Sequence, residues 1–345
     1  MLRAFSLLIS GLLLLALTCG CHQGETSDRL LLSGQTMGTT WSLNMVPGSS
    51  GTDSALLKQR LQARLDQING LMSTYDPESE LSRFNTLAST DWYPVSEDTA
   101  RVIEVSQEIS ALSDGAFDIS IGPLVELWGF GAAERRAKIP TEGQIKENLA
   151  RVGYKNIQLR RGPTAIRKQI PELQIDLSAV AKGYAVDALA KILEQQGIDN
   201  YLLEIGGELQ ISGHRGDDSP WQIAIERPLE EVRDVAAIFP LTNTALATSG
   251  NYRNFYVEDG QRYSHTIDPV SGKPIRHKLA SVTVLARTCA RADALATTLM
   301  VLGEEKGRHF CEKNQVAAYF LIHDKTSTTV YASPAFERFL KEVEQ

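Results

Sequence analysis

Apolar positions recur at three- and four-residue steps over Ser54–Met72, where Leu57, Leu61, Leu65, Ile68 and Leu71 draw one stripe along a helix. Glu97–Leu112 repeats that period through Val102, Val105 and Ile109. From Leu30 the pattern alternates toward Trp41, Leu43 and Met45, which predicts a strand. Ser178–Gln196 reads as a helix stopped by Gly197, and Ala290–Leu302 and Pro334–Val343 read as two more. Short apolar runs at Ile157–Leu159, Leu173–Ile175, Tyr201–Ile205, Trp221–Ile225, Val235–Phe239, Ala245–Thr248, Phe255–Val257, Ser281–Leu285 and Val316–Ile322 read as strands, set apart by Gly, Pro, Asn and Asp. The middle strands follow one another with no helix between each pair. That order predicts an α+β fold with a largely antiparallel sheet, not a doubly wound parallel one. With no repeat, low-complexity tract or long linker, residues 30–345 are expected to form one unit.

The pattern before that unit is different. One charge in Met1-Leu2-Arg3 precedes the almost wholly apolar run Ala4–Leu17. The run is shorter than the roughly 20 residues of a membrane span and has the proportions of a secretory signal. Leu17-Thr18-Cys19-Gly20-Cys21 resembles the lipobox of bacterial lipoproteins, although Thr18 and Cys19 depart from its usual wording. The resemblance implies that residues 1–20 are a signal peptide, that Cys21 is lipidated, and that residues 21–29 are a tether. The rest of the chain is then expected outside the cytoplasm, held to a membrane by lipid (palmitate among its acyl groups) and not by a helix.

Composition narrows the partners. The 345 residues are 43% hydrophobic and 22% charged, with a formal net charge of −7 and no dominant Lys/Arg block. That excludes the electrostatic footprint of a nucleic-acid binder. Beyond the leader only Cys289 and Cys311 remain, without zinc-ligand spacing. A disulfide between them is open at this level, because sequence does not place their Cα atoms.

Four constellations are candidates for chemistry. Asp176 precedes Ser178, which is placed to cap a helix. Ala179, Ala181, Gly183 and Ala185 are small, and Lys182 follows within a turn. A helix start with a lysine suits a phosphate, but a packed core helix with a snorkelling lysine reads the same way. Asp293 and Thr297 are four apart and share a helix face, offering hard oxygens to Mg²⁺. They are equally an N-terminal acid favoured by the helix dipole and a back-bonding threonine. His265 ends a strand before the turn Asp268-Pro269, as a general base or as a structural histidine. Thr248-Ser249-Gly250-Asn251-Tyr252 is a polar turn where a phosphate can meet amides and hydroxyls. Tyr75 is able to stack on a planar ring, and Ala116-Phe117-Asp118 and Leu127-Trp128-Gly129-Phe130 add aromatics that also suit plain packing. Gly206-Gly207 has no strand–GxGxxG–helix setting and is no dinucleotide fingerprint.

Taken in order, these segments resemble the ApbE family. The likeness rests on Met37-Gly38-Thr39, Ser73-Thr74-Tyr75, Ser82-Arg83-Phe84-Asn85, Gly115-Ala116-Phe117-Asp118, Leu127-Trp128-Gly129-Phe130, Asp176-Leu177-Ser178, Ala181-Lys182-Gly183-Tyr184-Ala185, Gly206-Gly207, Ser249-Gly250-Asn251-Tyr252, His265 with Asp268-Pro269, and Asp293 to Thr297. The family implies an α+β catalytic unit that moves the FMN half of FAD onto a Thr or Ser hydroxyl of a target protein, with Mg²⁺, releasing AMP. It implies FAD contacts at Met37, Tyr75, Ala116, Phe117, Asp118, Asp176, Lys182 and Ile267, with Thr248 and Ser249 in the phosphate turn. It implies metal positions at Ala179 through its carbonyl, Asp293 and Thr297. Ala296 stands where some members have a carboxylate. His265 matches the position proposed as catalytic. Acceptors of the family are flavin-bearing subunits of membrane redox complexes, so the periplasmic face of the inner membrane is the expected location, with the outer membrane left open. A Mg²⁺-dependent FAD pyrophosphatase and a non-catalytic FAD-binding lipoprotein are the competing readings.

Overall fold

The computed structural model describes residues 29–47, 52–132, 139–228, 234–252, 254–324 and 327–343. The expected signal peptide, Cys21 and nearly all of the tether lie outside the described residues. Among those described, no helix is long and apolar enough to cross a membrane.

The centre is an eight-stranded sheet of β1 (Leu30–Thr36), β2 (Thr39–Met45), β3 (Tyr201–Ile205), β4 (Glu208–Ser212), β5 (Thr244–Gly250), β6 (Leu279–Ala286), β7 (Ala317–Asp324) and β8 (Ser327–Ala332). Spatial order equals chain order, and each strand is antiparallel to the next. The expected α+β fold with an antiparallel sheet is therefore what forms. The alternation from Leu30 to Met45 is one hairpin and not one strand. Its two-residue tip is Met37-Gly38, both at positive φ (48° and 71°), the conformation that matches the twist of paired strands. The β3–β4 tip, Gly206-Gly207, also has positive φ and lies beside it, since Gly206 N–H donates to Thr40 O.

The helices are α1 (Ser54–Met72), α2 (Glu80–Thr86), α3 (Glu97–Leu112), α4 (Gly122–Leu127), α5 (Glu142–Leu149), α6 (Ala181–Gln195), α7 (Cys289–Asn314) and α8 (Pro334–Val343). One face of the sheet is covered by α1, α6 and α7, with α3 packed behind them. There Leu57, Leu61, Leu65, Leu189 and Leu299 meet Trp41, Leu43, Val282 and Phe320 in the main core. On the other face, α8 and the hairpin Trp221–Glu226/Val235–Leu241 cover Ile211, Leu246, Leu285 and Leu321. A third cluster joins Leu124, Leu127, Trp128, Ile145, Tyr263 and Ile267 beside the sheet.

Three expectations need correction, and one open question is answered. The helix read from Ser178 begins at Ala181. Ser178 does not cap it, because its N–H and its hydroxyl both donate to Asp176 Oδ1. Leu173–Ile175 is not a strand; Gln174 makes only an isolated parallel bridge to Ile121. The helix read as Ala290–Leu302 runs on to Asn314, across a break at Gly303 (φ 74°). Cys289 and Cys311 are both free and both buried. They stand near opposite ends of α7, on either side of its break, too far apart to bridge.

Candidate active site

The site begins where two helix N-termini cross. Gly183 of α6 lies against Cys289 and Ala290 of α7, and a Cβ there would be 2.5 Å from the Cys289 carbonyl oxygen. The α7 N-terminus has no cap from its own Thr288. Asp187 of α6 serves instead, its two carboxylate oxygens accepting Cys289 N–H (2.7 Å) and Ala290 N–H (3.0 Å). The crossing sets Lys182 beside Asp293. Asp293 is buried, and its Oδ2 accepts the Gly183 amide at 3.1 Å. Lys182 Nζ forms a 2.6 Å ion pair with Glu208, which is buried at the start of β4.

Lys182, Glu208 and Asp293 line a cleft of 1210 Å³. Its lining includes Tyr75, Ala116, Phe117, Asp118, Asp176, Ala179, Lys182, Thr248, Ser249, His265, Ile267, Asp293 and Thr297, so most of the residues singled out in the sequence meet in one place. Two do not line it. Met37 sits at its hairpin tip packed on the main core, and its neighbour Gly38 lines the cleft instead. Ala296 is fully buried in the main core behind α7.

His265 is held in a defined tautomer. Its Nδ1 lies 3.0 Å from Asn254 O. A carbonyl only accepts, so Nδ1 carries the proton and Nε2 keeps its lone pair. Burial pushes the imidazole below its ordinary value, and the Lys182 charge adds to that against the Asn254 bond, so the ring is neutral near pH 7. Phe130 packs edge-on against it, with ring centroids 6.4 Å apart.

The carboxylates divide into two kinds. Asp118 is occupied structurally: Oδ1 accepts Ser120 N–H (2.8 Å) and hydroxyl (2.6 Å), and Oδ2 accepts Tyr154 N–H (2.8 Å). Asp176 likewise holds the Ser178 turn before α6. Glu208 and Asp293 differ. Burial and their mutual repulsion raise the proton affinity of Glu208, and burial raises that of Asp293, with Lys182 opposing both. Lys182 itself is drawn down by burial but held above its ordinary value overall by Glu208 and Asp293. Lys182 is thus one ammonium shared by two buried carboxyl groups whose proton affinity is raised.

A cation beside Asp293 would favour its charged form. Among the described residues there is no group of three or more His, Cys, Asp or Glu with metal-ligand spacing, so a zinc-like cage is not built. Mg²⁺ asks for less, taking one or two carboxylates and completing its shell with water and phosphate oxygens. Asp293 fits that set, with Thr297 Oγ1 one turn on, 3.3 Å from Ser249 Oγ, and with Ala179 at the cleft wall. At the mouth, Tyr75 is 68% exposed yet anchored, since Ser73 Oγ accepts Tyr75 N–H at 3.1 Å. It offers a free ring face for stacking.

Residues 37–320 match the ApbE family. The chain belongs to the ApbE family. It is 41% identical over 341 residues to the FAD:protein FMN transferase of Vibrio cholerae serotype O1, covering 99% of this chain and all of that one. It is 42% identical over 329 residues to the protein of that name from Escherichia coli K12, covering 93% of each. In three dimensions it matches the flavin transferase ApbE from Vibrio cholerae with a TM-score of 0.84 at 42% identity, over 91% of this chain and 99% of that one. The apo flavinyl transferase ApbE of Pseudomonas stutzeri gives a TM-score of 0.84 at 37% identity, over 91% and 97%.

In this ApbE member, sequence reasoning passed over three groups that build the cleft. Glu208 follows the quoted Gly206-Gly207, and its signal was a charge on the inward face of a strand whose other face is Leu209 and Ile211. Asp187 lies four residues after Gly183, on the same helix face. Asn254 acts through its backbone carbonyl, which leaves no signal in a sequence.

Proposed function

We propose that this chain transfers the FMN half of FAD to a Thr or Ser hydroxyl of an acceptor protein and releases AMP. One observation carries the reading: His265, its Nδ1 on Asn254 O and its Nε2 left to accept, lies in the same cleft as Lys182, Asp293 and Thr297. An alcohol is a weak nucleophile and needs a base at its proton. His265 Nε2 takes that proton as the hydroxyl oxygen bonds to the phosphorus of the FMN half. The bond from that phosphorus to the bridging oxygen breaks, and the oxygen leaves with AMP. Lys182, tethered by Glu208, presents a cation to the pyrophosphate. Tyr75 stacks on a ring of FAD at the mouth. Asp293, Thr297 and the Ala179 carbonyl would hold Mg²⁺, whose charge offsets that of the phosphates and of the leaving AMP.

The names of the relatives support the transfer, and the apolar leader with Cys21 supports a lipid-anchored enzyme on the periplasmic face of the inner membrane. Flavin-bearing subunits of membrane redox complexes are the acceptors that such a location serves.

The test is mass spectrometry of a purified flavin-accepting domain incubated with the protein, FAD and Mg²⁺, with AMP measured in the same sample. An FMN-sized mass gain matched by AMP is the expected result. AMP without a mass gain on any acceptor makes the protein an FAD pyrophosphatase. Tight FAD binding with neither product makes it a carrier.

A further inference from the structure

One stretch of the cleft wall is not used by the transfer chemistry, the strand Trp221–Glu226. Its residues Gln222, Ile223, Ala224, Ile225 and Glu226 all line the cleft in sequence. Successive side chains of a strand point to opposite faces, so an unbroken run can line one cavity only through the strand's edge.

Among the described residues, Trp221–Glu226 pairs with Val235–Leu241 and with no other strand. Arg227 N–H donates to Asp234 O at 2.7 Å. The extra residue of the bulge, Ala236, lies in the other strand and leaves the alternation along Trp221–Arg227 intact. Counting back by twos, Ile225, Ile223 and Trp221 turn their main chains to the partner strand, and Gln222 and Ala224 turn theirs outward. Among the described residues, the main chain of Gln222 and Ala224 makes no hydrogen bond outside the hairpin. Free edges are normally blunted by Lys, Pro or a covering segment. Gln222-Ile223-Ala224-Ile225 carries none of these residues and faces a groove. Its floor is the solvent-side face of β2 and β3, with Thr40 and Glu204 exposed and Leu202 half-buried. The groove is continuous with the cavity that holds His265 and Asp293.

We propose that the acceptor polypeptide docks as an added strand on the outward edge of Gln222–Ile225, which delivers its hydroxyl toward His265. The inference rests on the transferase reading, because a protein acceptor has to reach this cleft whereas water does not. The four residues Gln222–Ile225 span about 13 Å, enough for an extended segment of similar length. Main-chain pairing at Gln222 and Ala224 gives affinity without demanding a particular side chain, and Ala224 leaves room for the neighbours of the acceptor residue.

The experiment uses the full chain and a flavin-accepting domain that the wild type modifies. Ala224→Pro removes the outward N–H at a position where the hairpin ladder does not use it. The expected result is an acceptor KM raised about tenfold, as one or two lost main-chain bonds imply, with the FAD dissociation constant unchanged. An unchanged acceptor KM overturns the proposal. Hydrogen exchange on the wild type needs no variant. Adding acceptor in the presence of FAD protects the Gln222 and Ala224 amides, and unprotected amides at saturating acceptor also overturn it. A wild type that modifies no acceptor removes the transferase reading itself, an outcome distinct from normal transfer through an untouched edge.

Discussion

Gly183 donates its amide to Asp293 Oδ2 at 3.1 Å, and the same glycine is what allows α6 and α7 to meet. A Cβ at residue 183 would lie 2.5 Å from Cys289 O and 2.8 Å from Ala290 Cα, both of them backbone atoms. Gly→Ala inside a helix ordinarily gains about 1 kcal/mol. Forced overpacking costs roughly 1–3 kcal/mol, and backbone cannot swing aside as a side chain does. The clash therefore wins. Gly183→Ala is expected to lose up to about 2 kcal/mol in urea unfolding and to weaken Mg²⁺ binding, because the shift moves Asp293. Unaltered stability would show that the helices have slack at this crossing.

His265→Ala is expected to lower transfer by roughly 10²–10⁴-fold, the usual contribution of a positioned base, while FAD still binds. The pH profile gives the sharper check. Catalysis needs the neutral ring, and burial holds its pKa below the ordinary 6.5. The acid limb of kcat/KM should fall below that value, activity dropping as pH falls through it. The limb should vanish from the residual activity of His265→Ala. If it persists there, another group is the base.

The fold was readable where a single physical cause decides it. The Ser54–Met72 helix was placed to the residue, because one apolar stripe ends where the chain turns and Asp53 accepts Ala55 N–H and Leu56 N–H. The short α2, α4 and α5 carry fewer than three turns and draw no stripe. β4 was missed because Glu208 occupies a buried face, where a strand pattern leads one to expect an apolar residue. Ser178 was misread because a serine that caps a helix and one that closes a turn onto Asp176 look the same in one dimension.

The site follows the same division. Asp293 and Thr297 shared a face by spacing alone. Each remained as consistent with ordinary helix chemistry as with a metal until the resemblance ordered the whole set. Lys182 was readable, but its partner Glu208 is 26 residues away across a hairpin. Ala296 was included by analogy with a carboxylate, and an alanine with no polar atom packs into the core instead.

Lys168 offers a prediction away from the cleft. It is fully buried, and its Nζ donates to Leu173 O (3.0 Å), Asn85 O (3.3 Å) and Phe84 O (3.4 Å). Lys168→Met keeps most of the volume but leaves those carbonyls without a donor, at a cost of roughly 2–4 kcal/mol. Burial lowers the lysine pKa, with Glu172 opposing. A folded pKa below the unfolded one, about 10.4, means that the unfolded chain binds the proton more tightly. The associated stability is complete above the unfolded value and is lost as pH falls through the folded one. The wild type's advantage over Lys168→Met should therefore widen as pH rises toward that value. A constant difference from pH 8 to pH 10 would contradict it.

Asp293 permits a test in which two effects have opposite signs. Its carboxylate is buried with Glu208 nearby and with Lys182 shared between them, so without metal its charge is a strain on the fold. Asp293→Asn removes that charge and keeps an oxygen for the Gly183 amide. In the absence of divalent ions the variant should be at least as stable as the wild type. Mg²⁺ reverses the order. A ligand that binds only the folded state adds about 2.7 kcal/mol at a hundred times its dissociation constant, so the wild-type Tm should rise on titration. The variant, lacking the one charged ligand, should show little rise and need at least about tenfold more Mg²⁺ for half-maximal turnover. Thr297→Ala should fall between the two, since a neutral hydroxyl contributes less than a carboxylate. Thermal unfolding across a Mg²⁺ series, read beside turnover, separates these outcomes. A Tm rise in Asp293→Asn equal to that of the wild type would move the metal to other oxygens of the cleft.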